Sequence, residues 1–135
     1  IYSFKKKRIY YYKFLITIQK TLYLLIFFMF SVLFPGQGSQ TVGMVKNLYE
    51  NFGYLKTLFD QADDILQISL SKMILGGPKE LLEQTENTQP AVFLASYSIY
   101  SVIKNETSFD LNAAKFFAGH SLGEYSALAC AQAIT

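Results

Sequence analysis

The chain has 135 residues, 51% of them apolar, which suits one globular domain or less. Its net charge of +2 hides a split: residues 1–28 hold six basic and no acidic side chains, whereas the remainder, with six basic and ten acidic, stands at −4. A body of that sign argues against phosphate-neutralising nucleic-acid binding, the single cysteine (Cys130) excludes an internal disulfide, and the single histidine (His120) excludes a His/Cys zinc cluster.

Residues 1–28 are compositionally foreign to the rest: Ile, Lys, Tyr and Phe supply 19 of the 28. A basic cluster, Lys5–Arg8, precedes the apolar run Thr21–Phe34. That order suits a signal peptide, yet no A-x-A-like site follows. A membrane span needs roughly 20 apolar residues, and Lys20 and Gln19 cut this run short. A transit peptide is expected to be Ser-rich and amphipathic, and this segment is neither. The composition favours a non-native leader, with translation starting at Met29; a targeting or anchoring segment and an integral part of the fold are the alternatives.

From Met29 onward the pattern alternates between strand and helix. Phe30–Phe34 predicts a short buried strand stopped by Pro35-Gly36. Leu48, Phe52, Leu55, Phe59, Ala62 and Leu66 recur at helical steps, predicting a helical region over 42–66 that Asn51-Phe52-Gly53 can interrupt. Gly76-Gly77-Pro78 predicts a turn, with Pro78 opening a short helix over 79–84. Pro90 is expected to start an apolar helix over 91–104, and residues 105–112 form a polar loop. A short strand over 113–118 and an Ala-rich helix over 122–134 complete the order. Strands alternating with helices predict an α/β fold with a largely parallel sheet.

Gly119-His120-Ser121-Leu122-Gly123 is a G-x-S-x-G sequence between the last predicted strand and helix. On such a strand-to-helix turn a serine points its hydroxyl out of the sheet, and glycines let the chain bend tightly. The helix start behind it offers amide N–H groups and partial positive charge to a developing oxyanion. A plain helix-capping serine is the simpler alternative. His120 is not expected to act as base, because a neighbour in an elbow projects elsewhere and such bases come from distant parts of a chain. Glu124 suits the helix dipole, and Cys130 reads as a small core residue. Pro35-Gly36-Gln37-Gly38-Ser39-Gln40 is neither a dinucleotide fingerprint nor a P-loop. It reads either as a strand-ending turn or as a loop donating half of an oxyanion hole. Asn105-Glu106-Thr107 fits a glycosylation sequon that matters only on a secreted chain. Asp60, Asp63 and Asp64 read as a solvated helix face, lacking calcium-loop spacing.

Taken together, Gly36–Gln40, Thr88-Gln89-Pro90-Ala91 and Gly119–Glu124, extended by Phe34-Pro35 and by Tyr125–Leu128, resemble malonyl-CoA:acyl-carrier-protein transacylases. These are enzymes of fatty acid biosynthesis, related to the acyltransferase domains of polyketide synthases. The resemblance runs from Met29 to Thr135 and leaves residues 1–28 without a counterpart. It implies that Ser121 is the nucleophile, that the backbone N–H groups of Gln37 and Leu122 form the oxyanion hole, and that Gln89 lines the substrate pocket. It implies malonyl-CoA and phosphopantetheinylated acyl carrier protein as substrates and partners, with no metal and no tightly bound cofactor. Neither nucleic acid nor membrane is an expected partner. The expected location is the cytoplasm, residues 1–28 leaving a membrane or organelle-targeting alternative.

The implied architecture is a partial α/β-hydrolase-like parallel sheet with flanking helices, the family's ferredoxin-like small subdomain being absent from this chain; such a partial sheet should expose a strand edge and apolar faces. The family's downstream catalytic histidine and malonate-binding arginine have no counterpart here either. Residues 29–135 are therefore expected to be the N-terminal part of an acyltransferase domain, inactive alone. A serine esterase of the α/β-hydrolase class and a non-catalytic truncated remnant are the competing readings.

Overall fold

The computed structural model describes residues 30–134 together with Ile18; the leader assigned to residues 1–28 otherwise lies outside the described residues. Strand β1 (Ser31–Phe34) pairs in parallel with β2 (Phe116–Gly119), with Ser31 opposite Phe116 and Phe34 opposite Gly119. Between them run five helices: α1 (Lys46–Asn51), α2 (Gly53–Leu66), α3 (Leu70–Gly76), α4 (Lys79–Leu82) and α5 (Thr85–Glu106). Helix α6 (Gly123–Cys130) follows β2. The α/β class and the parallel pairing are as the alternation predicts.

In-register pairing gives the sheet two unlike faces, because alternate residues point opposite ways. Phe34 and Phe117 stack on one face with ring centroids 6.4 Å apart, and Tyr100 of α5 meets Phe117 edge-on at 6.1 Å. On the other face Leu33 and Phe116 are 74% and 67% exposed. The exposed apolar face expected of a partial sheet is thus present. The predicted burial of β1 holds for Phe34 alone within the strand.

The helices pack around Phe59, Leu70, Ile74, Leu82, Ala91 and Leu94. Leu55 and Phe59, one turn apart on α2, are fully buried, and the Tyr49 ring lies 5.1 Å from that of Phe59. The helical region expected over 42–66 is broken where its sequence suggests. Phe52 adopts an extended conformation, so the Phe52 N–H closes α1 on the Leu48 carbonyl while the Phe52 carbonyl opens α2. It starts only at Lys46, because Gly43 and Val45 have positive φ in the preceding turn.

Helix α3 has no counterpart among the predicted elements. Part of its stability comes from Asp63 on α2. The carboxylate accepts the Ser71 N–H at 2.8 Å and the Ser71 hydroxyl at 2.5 Å, satisfying a donor in the first turn of α3 from another helix. Asp63 is therefore half-buried and structural, which corrects its assignment to a solvated face.

Helix α5 begins at Thr85, well before Pro90, so the expectation that Pro90 opens the helix is corrected. Two side chains anchor this earlier start. Thr88 donates its hydroxyl to the Leu82 carbonyl at 2.6 Å, and Asn87 donates its amide to the Leu81 carbonyl at 2.9 Å. The Thr88 bond satisfies the Leu82 carbonyl, which no backbone N–H reaches among the described residues, and the Asn87 bond adds to the Gln84 N–H that the Leu81 carbonyl accepts at 3.3 Å. Pro90 deprives only the Glu86 carbonyl of a donor, and Glu86 is exposed to water.

Downstream, the strand expected over 113–118 is shifted. The Asp110 carboxylate accepts the Asn112 N–H at 3.0 Å and winds Leu111–Ala113 into a 3-10 turn, so β2 begins at Phe116. The helix expected over 122–134 ends at Cys130, beyond which Gln132 turns left-handed. Among the described residues, no helix is long and apolar enough to cross a membrane.

Cys130 is buried, in keeping with a core assignment, and desolvation pushes its thiol up to about 11, with Lys104 pulling weakly the other way. Ser126, also fully buried in α6, has a hydroxyl without a hydrogen-bond partner among the described residues. Replacing an unpaired buried hydroxyl by a methyl group avoids a desolvation cost. Ser126→Ala should raise stability by about 1 kcal/mol in urea unfolding, whereas Thr88→Val should lower it by about 1–2 kcal/mol. Because the native thiol is neutral at pH 8, iodoacetamide should alkylate Cys130 roughly a hundredfold more slowly in the folded chain than in denaturant.

Candidate active site

The site is built where β2 gives way to α6. Ser121 is exposed and has φ 52°, in the left-handed region. For a non-glycine residue that conformation costs on the order of 1–3 kcal/mol and persists only when the surroundings impose it. Here three backbone bonds do so. Gly123 N–H donates to the His120 carbonyl at 2.9 Å, Glu124 N–H to the Ser121 carbonyl at 3.0 Å, and Tyr125 N–H to the Leu122 carbonyl at 3.1 Å.

Glycine makes the turn sterically possible. A Cβ at Gly119 would run into the Gly123 carbonyl and the Glu124 nitrogen, so strand and helix touch directly. A Cβ at Gly123 would strike the Phe34 carbonyl and stand 2.8 Å from the Pro35 oxygen. One at Gly36 would stand 2.6 Å from the His120 oxygen. The loop after β1 therefore lies on the elbow, backbone against backbone. The His120 N–H adds a bond to the Phe34 carbonyl at 3.3 Å, carrying the parallel ladder one residue past β2.

This packing brings Gln37 and Leu122 onto the two segments that flank Ser121. Among the described residues, neither the Gln37 N–H nor the Leu122 N–H has a hydrogen-bond acceptor. Leu122 stands at the N-terminus of α6, where aligned peptide dipoles concentrate positive charge. Glu124, exposed in the first turn, complements that end.

Gln89 is exposed on α5, four residues after Thr85 and hence on the same helix face. The loop reaches that face: the Gln37 side-chain amide donates to the Thr85 hydroxyl at 3.0 Å. Ser39 and Gln40 brace the loop internally, through Ser39 Oγ–H to the Gly36 carbonyl at 2.9 Å and Gly38 N–H to Gln40 Oε1 at 2.8 Å. Thr85 escapes sequence reasoning, its only signal being its four-residue spacing from Gln89.

His120 projects toward the loop after β1. Its Nδ1 lies 3.2 Å from where Gly36 would carry a Cβ, so the ring sits over the loop. Among the described residues, the Ser121 hydroxyl makes no hydrogen bond to it or to any other group. Nor do three His, Cys, Asp or Glu side chains converge anywhere among these residues. An apolar groove of about 460 Å³, lined by Leu58, Ile65, Phe93, Tyr97 and Ala129 among others, includes none of Ser121, Gln37, Leu122 or Gln89. An exposed serine on a strained turn, with unpaired amide donors on its flanking segments, suits acyl transfer through a covalent intermediate.

The chain is similar in sequence and in fold to known proteins. Over 102 residues the chain is 47% identical to a malonyl CoA-acyl carrier protein transacylase of Haemophilus influenzae, covering 76% of this chain and 32% of that protein. It is 48% identical over 103 residues to the transacylase of the same name from Bacillus subtilis, covering 76% and 31%. Among solved structures, an acyl-carrier-protein-S-malonyltransferase from Bartonella henselae superposes with a TM-score of 0.68 at 41% identity, over 76% of this chain and 33% of that one. A malonyl-transacylase in complex with its type II PKS acyl-carrier protein gives 0.68 at 42% identity, over 76% and 32%. The chain spans about a third of the length of these relatives. Residues 31–135 match the acyl transferase domain, and the chain belongs to that family.

Proposed function

We propose that this chain contributes the nucleophile and oxyanion hole of a malonyl-CoA:acyl-carrier-protein transacylase acting in fatty acid biosynthesis. The observation that carries the proposal is Ser121, exposed and left-handed on a strand-to-helix turn that the neighbouring backbone imposes. Ser121 Oγ attacks the malonyl thioester carbonyl of malonyl-CoA. The Oγ–C bond forms, the C–S bond breaks, and coenzyme A leaves as its thiol. The phosphopantetheine thiol of acyl carrier protein then attacks the malonyl-serine ester: a C–S bond forms, the C–Oγ bond breaks, malonyl leaves on the carrier sulfur, and Ser121 Oγ takes up the proton the thiol gives up. Two easier steps replace one hard transfer.

In each step the carbonyl oxygen takes up negative charge, and the N–H groups of Gln37 and Leu122 receive it. Preorganised donors of this kind contribute strongly because they need no rearrangement during reaction. Gln89 lies on the helix face that the Gln37 loop reaches, which supports its place in the substrate pocket. Both substrates bring their own reactive groups, so the proposal involves no metal or bound cofactor, and it places the reaction in the cytoplasm. Residues 29–135 are read as the N-terminal part of an α/β-hydrolase-like domain, with no ferredoxin-like subdomain among them. Activation of Ser121 needs a base, and these residues hold no histidine besides His120. The base and the carboxylate-binding arginine are therefore assigned to other parts of the full-length protein, and residues 29–135 alone should be inactive.

In the full-length protein Ser121→Ala should abolish the covalent malonyl adduct seen by intact mass after mixing with malonyl-CoA. An adduct that survives the substitution would sink the nucleophile assignment, and release of the acyl group to water in preference to carrier protein would favour an esterase. Gly36→Ala, which pushes the loop off the His120 carbonyl, should slow acylation by about 100- to 1,000-fold, the usual effect of losing one oxyanion donor. Rapid-quench measurement of the acylation burst checks this.

A further inference from the structure

We propose that Thr85 is a positioning residue for the oxyanion donor at Gln37, an inference that rests on the acyl-serine reading above. The loop after β1 is fixed at both ends. Gly36 is pressed against His120, and the Gly43 N–H donates to the Ile74 carbonyl at 2.7 Å. Between those points residues 37–41 are mostly exposed, and Gly38 has φ 104°. The bonds of Ser39 and Gln40 hold the loop's own shape without tying it to another element. Among the described residues, the one hydrogen bond that ties residues 37–41 to another element is Gln37 Nε2 to Thr85 Oγ1, across 48 positions of sequence.

Gln37 thus has two separable jobs. Its main chain presents the N–H to the oxyanion, and its side chain anchors that same residue to the first turn of α5. Either orientation of the amide serves, because a hydroxyl both donates and accepts. The anchor matters because oxyanion stabilisation depends on where the donor stands, and small displacements of catalytic groups carry large rate penalties. Thr85 need not touch substrate; it acts through Gln37. α5 is a suitable post, since Asn87 and Thr88 bond its first turns to the end of α4.

The test is a double-mutant cycle in the full-length protein, with malonyl-CoA and holo acyl carrier protein as substrates. Thr85→Val and Gln37→Ala each remove the link from one side, and Gln37→Ala leaves the backbone N–H in place. Each should lower kcat about tenfold with KM for malonyl-CoA little changed, the double variant should be no slower than the slower single one, and Thr85→Ser should recover the rate. Gln37 and Thr85 are both exposed, so two independent substitutions guard against misfolding of either variant. An unchanged kcat in Thr85→Val, or losses that multiply in the double variant, would overturn the tether while the malonyl-serine adduct still forms. Absence of that adduct from the unsubstituted protein would instead overturn the acyl-serine reading, and this inference with it.

Discussion

The constraint on which the site depends is the direct contact of two stretches of backbone, residues 34–36 and residues 119–123. Three glycines, Gly36, Gly119 and Gly123, leave no side chain between them. Parallel pairing of β1 with β2 delivers the two stretches to the same end of the sheet, and the His120-to-Phe34 bond continues that pairing into the turn. Contact at this distance holds Ser121 in a conformation it would otherwise avoid. It also brings the segments that carry the unpaired Gln37 and Leu122 N–H groups to either side of the serine, with the Gln37 side chain tying one of them to Thr85. Contact of this kind tolerates almost no change in the three glycines, because a Cβ at any of them would meet backbone.

Helix α5 links this polar end to the rest of the fold. Its first turns hold the end of α4 through Asn87 and Thr88. Its middle supplies Ala91 and Leu94 to the helical core, and Tyr100 near its far end lies against Phe117 of β2. One element therefore holds the sheet, the core and, through Thr85, the loop after β1 together. Its low amphipathicity follows: a helix with partners on several sides has no single wet face, and small residues such as Ala95, Ser96 and Ser98 let those partners approach.

Much of this was legible from residue patterns. The strand-ending Pro35, the interrupted helix at Phe52, the turn at Gly77 and the elbow glycines each act through a local steric rule that one residue carries by itself. The start of α5, the existence of α3 and the true beginning of β2 were not legible. Each depends on a polar side chain reaching a particular backbone group: Thr88 to Leu82, Asp63 to Ser71, Asp110 to Asn112. Of these only the last is close enough in sequence to leave an Asx-turn signature. In the site, Ser121 and its turn followed from the strand–glycine–helix pattern. The bond between Gln37 and Thr85 did not, because it joins residues 48 positions apart and has no periodicity to reveal it.

The buried, protonated thiol of Cys130 has a consequence for chemistry conducted between thioesters. Acyl groups move readily among thiolates, and a protein with a reactive thiol near an acylated serine offers its cargo a place to stray. The single cysteine of these 135 residues is held neutral inside the fold. On the proposed reading, an acyl group carried by Ser121 would meet no competing thiolate from this part of the chain.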